Sequence, residues 1–145
     1  MASLSGRTAL VTGAGRRLGR SIASALARAG VNLFIHHRSS EAGAEEVADA
    51  ARASGVKAWV LHGDLSDPTS AGAMFRSIRS LSRIDFLINS AAVYPEGRLS
   101  SIDPESFSRT ISVNALSPLA LISALAAQVD DSPCAVVNIL DARMT

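Results

Sequence analysis

The sequence predicts an α/β fold built on a doubly wound, parallel sheet of five strands. Three observations predict it. Apolar runs of about five residues alternate with helical patterns of ten or more. The runs are apolar throughout, as strands are when helices cover both sheet faces. A glycine-rich turn joins the first run to the first helical pattern. With 145 residues, the chain is read as one domain with a sizeable core.

Taken in order, residues 8–11 form the first strand. The helix after it places Leu18, Ile22, Leu26 and Ala29 on one face, and Gly30 closes it as a C′ glycine. Residues 31–35 form the second strand. It runs into His36, His37, Arg38, Ser39 and Ser40, with Ser39 or Ser40 capping the next helix. That helix covers 41–54, turns Ala44, Val47, Ala48 and Ala51 inward, and stops at Gly55. The third strand is 57–61. Asp67 then caps a helix that has Pro68 at its first position and an apolar face of Met74, Phe75, Ile78 and Leu81. Residues 84–88 are the fourth strand and 93–103 a loop. A helix begins near Pro104 and ends before Asn114. Residues 115–129 are apolar on nearly every side, which marks a buried or interface helix. The fifth strand is 135–140.

Composition removes several classes of function. Apolar residues make up 48% of the chain, too many for a disordered one. The net charge is +1, the pI about 8.0, and the arginines are spread out, so nothing favours nucleic acid. Cys134 is the sole cysteine, which leaves no internal disulfide or cysteine-based metal site, and the histidines lack metal-ligand spacing. The N-terminus lacks the apolar core of a signal peptide, and no apolar run reaches transmembrane length. A cytoplasmic protein with no membrane partner and no bound metal is expected.

Function is read at the carboxyl ends of the strands, where open α/β sheets bind ligands. Gly13, Gly15 and Gly19 let the backbone approach a phosphate at the start of the first helix. The unpaired N–H groups of that first turn and its dipole favour an anion. This predicts a dinucleotide pyrophosphate there, in the manner of a Rossmann fold, although the last glycine comes one residue later than the strict G-x-G-x-x-G spacing. Arg16 and Arg17 either embrace phosphate oxygens or are surface charges at a helix start. The second strand end discriminates between coenzymes. NAD-specific domains place a carboxylate there, which would repel a 2′-phosphate. This chain places Arg38 between His37 and Ser39, so NADP is predicted over NAD. Asp64 either accepts from the adenine amino group or caps its own turn. Asn89 is expected to tie neighbouring strand ends together, and His36 and His62 read as satisfied loop histidines.

These residues resemble the short-chain dehydrogenase/reductase family. T-G-A-G-R-R-L-G at 12–19 follows the family's T-G-x-x-x-G-x-G, with Arg17 where the middle glycine belongs. Together with H-H-R-S at 36–39, it is similar to the NADPH-dependent pteridine reductase branch. The resemblance implies that Asp64 and Leu65 lie at the adenine. It implies that Leu18, Asn89, Ser90 and Ala91 line the coenzyme, the last three within N-S-A-A at 89–92. It implies that Asn114 supports a proton relay through water and that Asp141 takes the place of the catalytic serine, so Asn114 and Asp141 are the expected catalytic residues. The family's Tyr-x-x-x-Lys dyad is absent, since Tyr94 and Lys57 are the only residues of their kinds. Residues 1–145 are therefore read as the NADP-binding part of a longer reductase, lacking its C-terminal strands and inactive alone. Its substrate is a small carbonyl or imine compound, and the complete protein is a homo-oligomer. The alternative is a non-catalytic NADP-binding or regulatory module. Val93 and Ala91 stand where pteridine reductases hold the pterin with an aromatic ring and a serine. Either Tyr94 substitutes for the ring or the substrate is not a pterin.

Overall fold

The structure, a computed structural model, describes residues 3–94, 103–128 and 132–140. The elements in chain order are β1 (Thr8–Val11), α1 (Arg17–Arg28), β2 (Asn32–His37), α2 (Glu41–Ala53), β3 (Ala58–His62) and α3 (Pro68–Arg79). They continue with β4 (Phe86–Asn89), α4 (Pro104–Ile111), a π turn (Ser112–Leu116), α5 (Ser117–Ala126) and β5 (Ala135–Asn138). The strands form one parallel sheet in the order β3-β2-β1-β4-β5, as the alternation of elements predicts. The chain winds outward from β1 to β3, then crosses back to place β4 on the other side of β1. The crossover opens a crevice above the ends of β1 and β4, the switch point at which such sheets bind ligands.

The two-residue period of the strands divides the core into two layers. Ala9, Val11, Leu33, Ile35 and Ile88 face α1 and α2, whose Ala23, Ala27, Ala44, Val47, Ala48 and Ala51 are small enough for close packing. Leu10, Phe34 and Leu87 face Phe75 and Ile78 of α3 and Leu121 and Leu125 of α5. Phe34 also stacks on Trp59, with ring centroids 4.6 Å apart. Gly30 ends α1 with φ +82°. Its N–H bonds the Ala27 carbonyl and the Val31 N–H bonds that of Leu26, the double closure of a left-handed C-cap.

Several expectations are corrected. The buried face of α1 is Gly19, Ala23 and Ala27, flanked by Ile22 and Leu26. Leu18 is 53% exposed and Ala29 is also exposed. Leu81 lies beyond α3 and is exposed, because that helix seats Ala71, Gly72, Phe75 and Ile78. The second strand continues through His36 and His37, both buried, since β3 pairs with it as far as His37. The fourth strand starts at Phe86, because the Asp85 carboxylate accepts from the Thr8 N–H and pairs with Arg7 and Arg83. Residues 104–126 do not break before Asn114. They run as a single helix through a π turn in which the Ser117 N–H reaches back five residues to Ser112. This helix is long and apolar enough to cross a membrane by length and composition, contrary to the sequence expectation. Its Val113, Ser117, Leu121 and Leu125 are nevertheless buried against the sheet side that carries α3. The fifth strand is an edge strand with all four residues exposed, not a run covered on both faces.

Candidate functional site

A crevice of about 460 Å³ lies over the switch point. It is lined by Gly13, Arg16, Arg17, Leu18, Gly19, His37, Arg38, Ser39, Asp64, Leu65, Ser90 and Ala91, twelve of the residues singled out from sequence. Each strand brings its own part. Gly13 follows β1 with φ +66°, and a Cβ there would stand 2.8 Å from the Ala91 Cα. Only glycine lets the turn pass that close to the residues after β4. Thr12 holds those residues, its Oγ1 accepting from the N–H groups of Ser90 and Ala91 at 3.0 Å.

Gly15 and Asn89 are not on the lining. Gly15 is buried, and a Cβ on it would meet the Ser40 Oγ at 2.3 Å. A Cβ on Gly43 would in turn lie 2.2 Å from the Gly15 carbonyl oxygen. The first turn of α2 is therefore pressed onto the glycine turn. Ser40 stands at the N-cap position, one of the two serines offered from sequence, but its side chain makes no cap hydrogen bond, and the sequence reading overlooked Gly43.

Among the described residues no side chain caps α1, and its first turn holds no acidic residue. Its leading N–H groups face the crevice with the favourable end of the helix dipole. Arg16, Arg17 and Arg38 are exposed at the rim and form no ion pair among the described residues. Arg17 carries the backbone in the left-handed region, with φ +50°. An uncapped helix start, three exposed guanidinium groups and a long crevice fit a polyanionic, multiply phosphorylated ligand.

The adenine side of the sequence reading is resolved in part. The Asp64 Oδ1 accepts from the Ser66 N–H at 2.9 Å, so the residue caps its own turn, and that bond holds its carboxyl below the ordinary value. Leu65 is buried, with its carbonyl accepting from the Ser117 Oγ at 2.7 Å. Ser117, buried in a helix read as apolar on nearly every side, had no sequence signal pointing to this role. His36 also lines the crevice and is a buried strand residue, not a loop histidine. Burial lowers its pKa to about 4.

A second cavity, of about 680 Å³, adjoins the crevice along Ala91, Ala92 and Val93. It is walled by Asn89, Tyr94, Thr110, Asn114, Leu119 and Ile122, with Asn138 and Ile139 closing the β5 side. The Asn89 Nδ2 donates to the Asn138 Oδ1 at 2.8 Å, tying β4 to β5 as expected from sequence. Asn114 uses both ends of its amide on one residue: Oδ1 accepts from the Val93 N–H at 2.9 Å and Nδ2 donates to the Val93 carbonyl at 2.8 Å. Asp141 lies outside the described residues.

Comparisons with known proteins agree with this geometry. The family model described as "short chain dehydrogenase" matches residues 7–141. Versicolorin reductase 1 of Aspergillus parasiticus is 35% identical over 112 residues, which cover 77% of this chain and 43% of the relative. Trihydroxynaphthalene reductase of Colletotrichum orbiculare is 35% identical over 114 residues, covering 78% of this chain and 40% of the relative. A blue fluorescent protein from a metagenomic library, solved in complex with NADPH, superposes with a TM-score of 0.83 at 28% identity, covering 90% of this chain and 54% of the other. The chain thus spans about half the length of the relatives it matches. The match across nearly all 145 residues, on a sheet whose crossover carries the crevice, establishes that the chain belongs to the short chain dehydrogenase family.

Proposed function

We propose that this chain is the NADP(H)-binding part of a reductase that transfers hydride to a carbonyl or imine carbon. The observation that carries the reading is the guanidinium of Arg38, exposed and in no ion pair among the described residues, at the end of β2 where a carboxylate would select NAD. The NADPH complex of the metagenomic protein supports it. The N–H groups opening α1, with Arg16 and Arg17, would hold the pyrophosphate, and Arg38, His37 and Ser39 the 2′-phosphate. Leu65 and the Asp64 turn would border the adenine, while Ser90 and Ala91 would lie along the ribose and nicotinamide.

The coenzyme, when bound, supplies the hydride. The chain's own residues orient and exclude water. Asn114 fixes Val93, and with it the wall shared by the crevice and the second cavity. By the resemblance, Asn114 would also support a proton relay through water. Asp141, by the resemblance, would take the place of the family's catalytic serine. Proton transfer by a positioned acid such as the family tyrosine contributes about 10²–10⁴-fold in rate, so this chain alone is expected to turn over slowly. The complete protein is proposed to be a cytoplasmic homo-oligomer. The pteridine-like sequence features propose one ring class of substrate. The two relatives named above are reductases of versicolorin and trihydroxynaphthalene.

Arg38→Asp tests the reading by titration with NADPH and NADH. Losing a charge-assisted contact of about 1.5–3 kcal/mol is expected to weaken NADPH about ten- to a hundredfold and to spare NADH. Unchanged NADPH affinity would refute it.

A further inference from the structure

The mechanism above makes no use of His36. The residue lies next to last in β2, is 2% exposed, and sits between the turns that follow β1 and β3. Its Nδ1 lies 3.3 Å from the Gly13 nitrogen. The Gly13 N–H can only donate, so Nδ1 accepts and the ring hydrogen belongs on Nε2. Nε2 lies 3.2 Å from the Gly63 carbonyl oxygen, to which it then donates. The backbone spans the same gap: the Ala14 N–H bonds the His36 carbonyl and the Gly63 N–H bonds that of His37. One imidazole therefore bolts the phosphate turn to the adenine turn, and both turns line the crevice or adjoin its lining.

We propose that His36 is a positioning residue for the coenzyme, setting the separation of the Gly13 and Gly63 turns through a ring whose Nδ1 carries no hydrogen. The proposal rests on the NADP(H) reading and deepens it. A second hydrogen on Nδ1 would face the Gly13 N–H, two donors in contact, and the bolt would open. The charged and titratable groups acting on the ring are His37 beside it and His62 and Asp64 from the β3 side, while Arg16, Arg17 and Arg38 line the same crevice. Burial opposes a charge on the ring more strongly than Asp64 favours one.

Because the bolt does not touch the 2′-phosphate, its loss acts on both coenzymes, whereas Arg38 acts on one. The test uses the full chain, with NADPH and NADH titrated against wild type, His36→Phe and His36→Asn. His36→Phe is expected to weaken both coenzymes by a similar factor of about ten, with Asn, whose amide oxygen takes over the Gly13 N–H, recovering part of it. Nitrogen-15 spectra of the wild-type imidazole need no variant and are expected to show the Nε2–H tautomer from pH 7 down to pH 5. A folded His36→Phe chain that binds both coenzymes as wild type does would overturn the proposal, as would a ring hydrogen on Nδ1 at pH 6. Wild type that binds neither coenzyme would overturn the coenzyme reading, and this proposal with it.

Discussion

Arg17 occupies a left-handed backbone conformation at the position where the family pattern places glycine. For a residue with a Cβ that costs about 1–2 kcal/mol. The guanidinium this places at the crevice rim is the compensating feature. Arg17→Gly is expected to hold or raise the denaturation midpoint, partly offset by glycine's greater unfolded-state entropy, while NADPH binding weakens. Denaturant melts and coenzyme titrations moving in the same direction would contradict this. His36 makes a second residue-scale prediction. Its folded pKa of about 4 lies below the ordinary 6.5, so on acidification the unfolded chain takes up a proton before the folded one does. Stability is thus expected to be intact above pH 6.5 and to fall as pH drops from 6.5 toward 4, by about 3 kcal/mol from this residue. His36→Phe should flatten that part of the profile in denaturant melts at pH 7, 5.5 and 4.5. An equally steep fall in the variant would contradict the assignment.

At the level of elements, the contact between α2 and the glycine turn links packing to coenzyme choice. Gly43→Ala would drive a Cβ to within 2.2 Å of the Gly15 carbonyl oxygen. The start of α2 must then move, carrying Ser39 and Ser40 with it. Overpacking of this kind costs about 1–3 kcal/mol. Titration is expected to show NADPH weakened more than NADH, and equal losses would show that the contact serves stability alone. This interlock also marks where the sequence stopped being legible. The inward face of α2 was readable because Ala44, Val47, Ala48 and Ala51 follow one helical stripe. Gly43 was not, because its role lies in the backbone of a turn 28 residues away. Leu18 and Leu81 misled because periodicity marks apolar residues without showing which of them the sheet covers. The sequence reading ended a helix before Asn114, whereas the π turn carries that residue within one continuous helix.

For the molecule as a whole, strand order turns separate sequence signals into one site. Residues 13–19, 36–39, 63–65 and 89–92 are scattered along the chain, and the order β3-β2-β1-β4-β5 brings them to one edge. The strand-end rule made that convergence readable in advance. The exposed β5 was not, because an apolar run does not reveal how much of it a neighbour covers. The account rests on a dinucleotide lying across the switch point with its phosphates at the start of α1. A crystal structure of this chain grown with NADP⁺ tests that most directly. The account predicts pyrophosphate density against the N–H groups opening α1 and the 2′-phosphate on the Arg38 guanidinium. Coenzyme bound elsewhere on the sheet, or a 2′-phosphate away from Arg38, would contradict it.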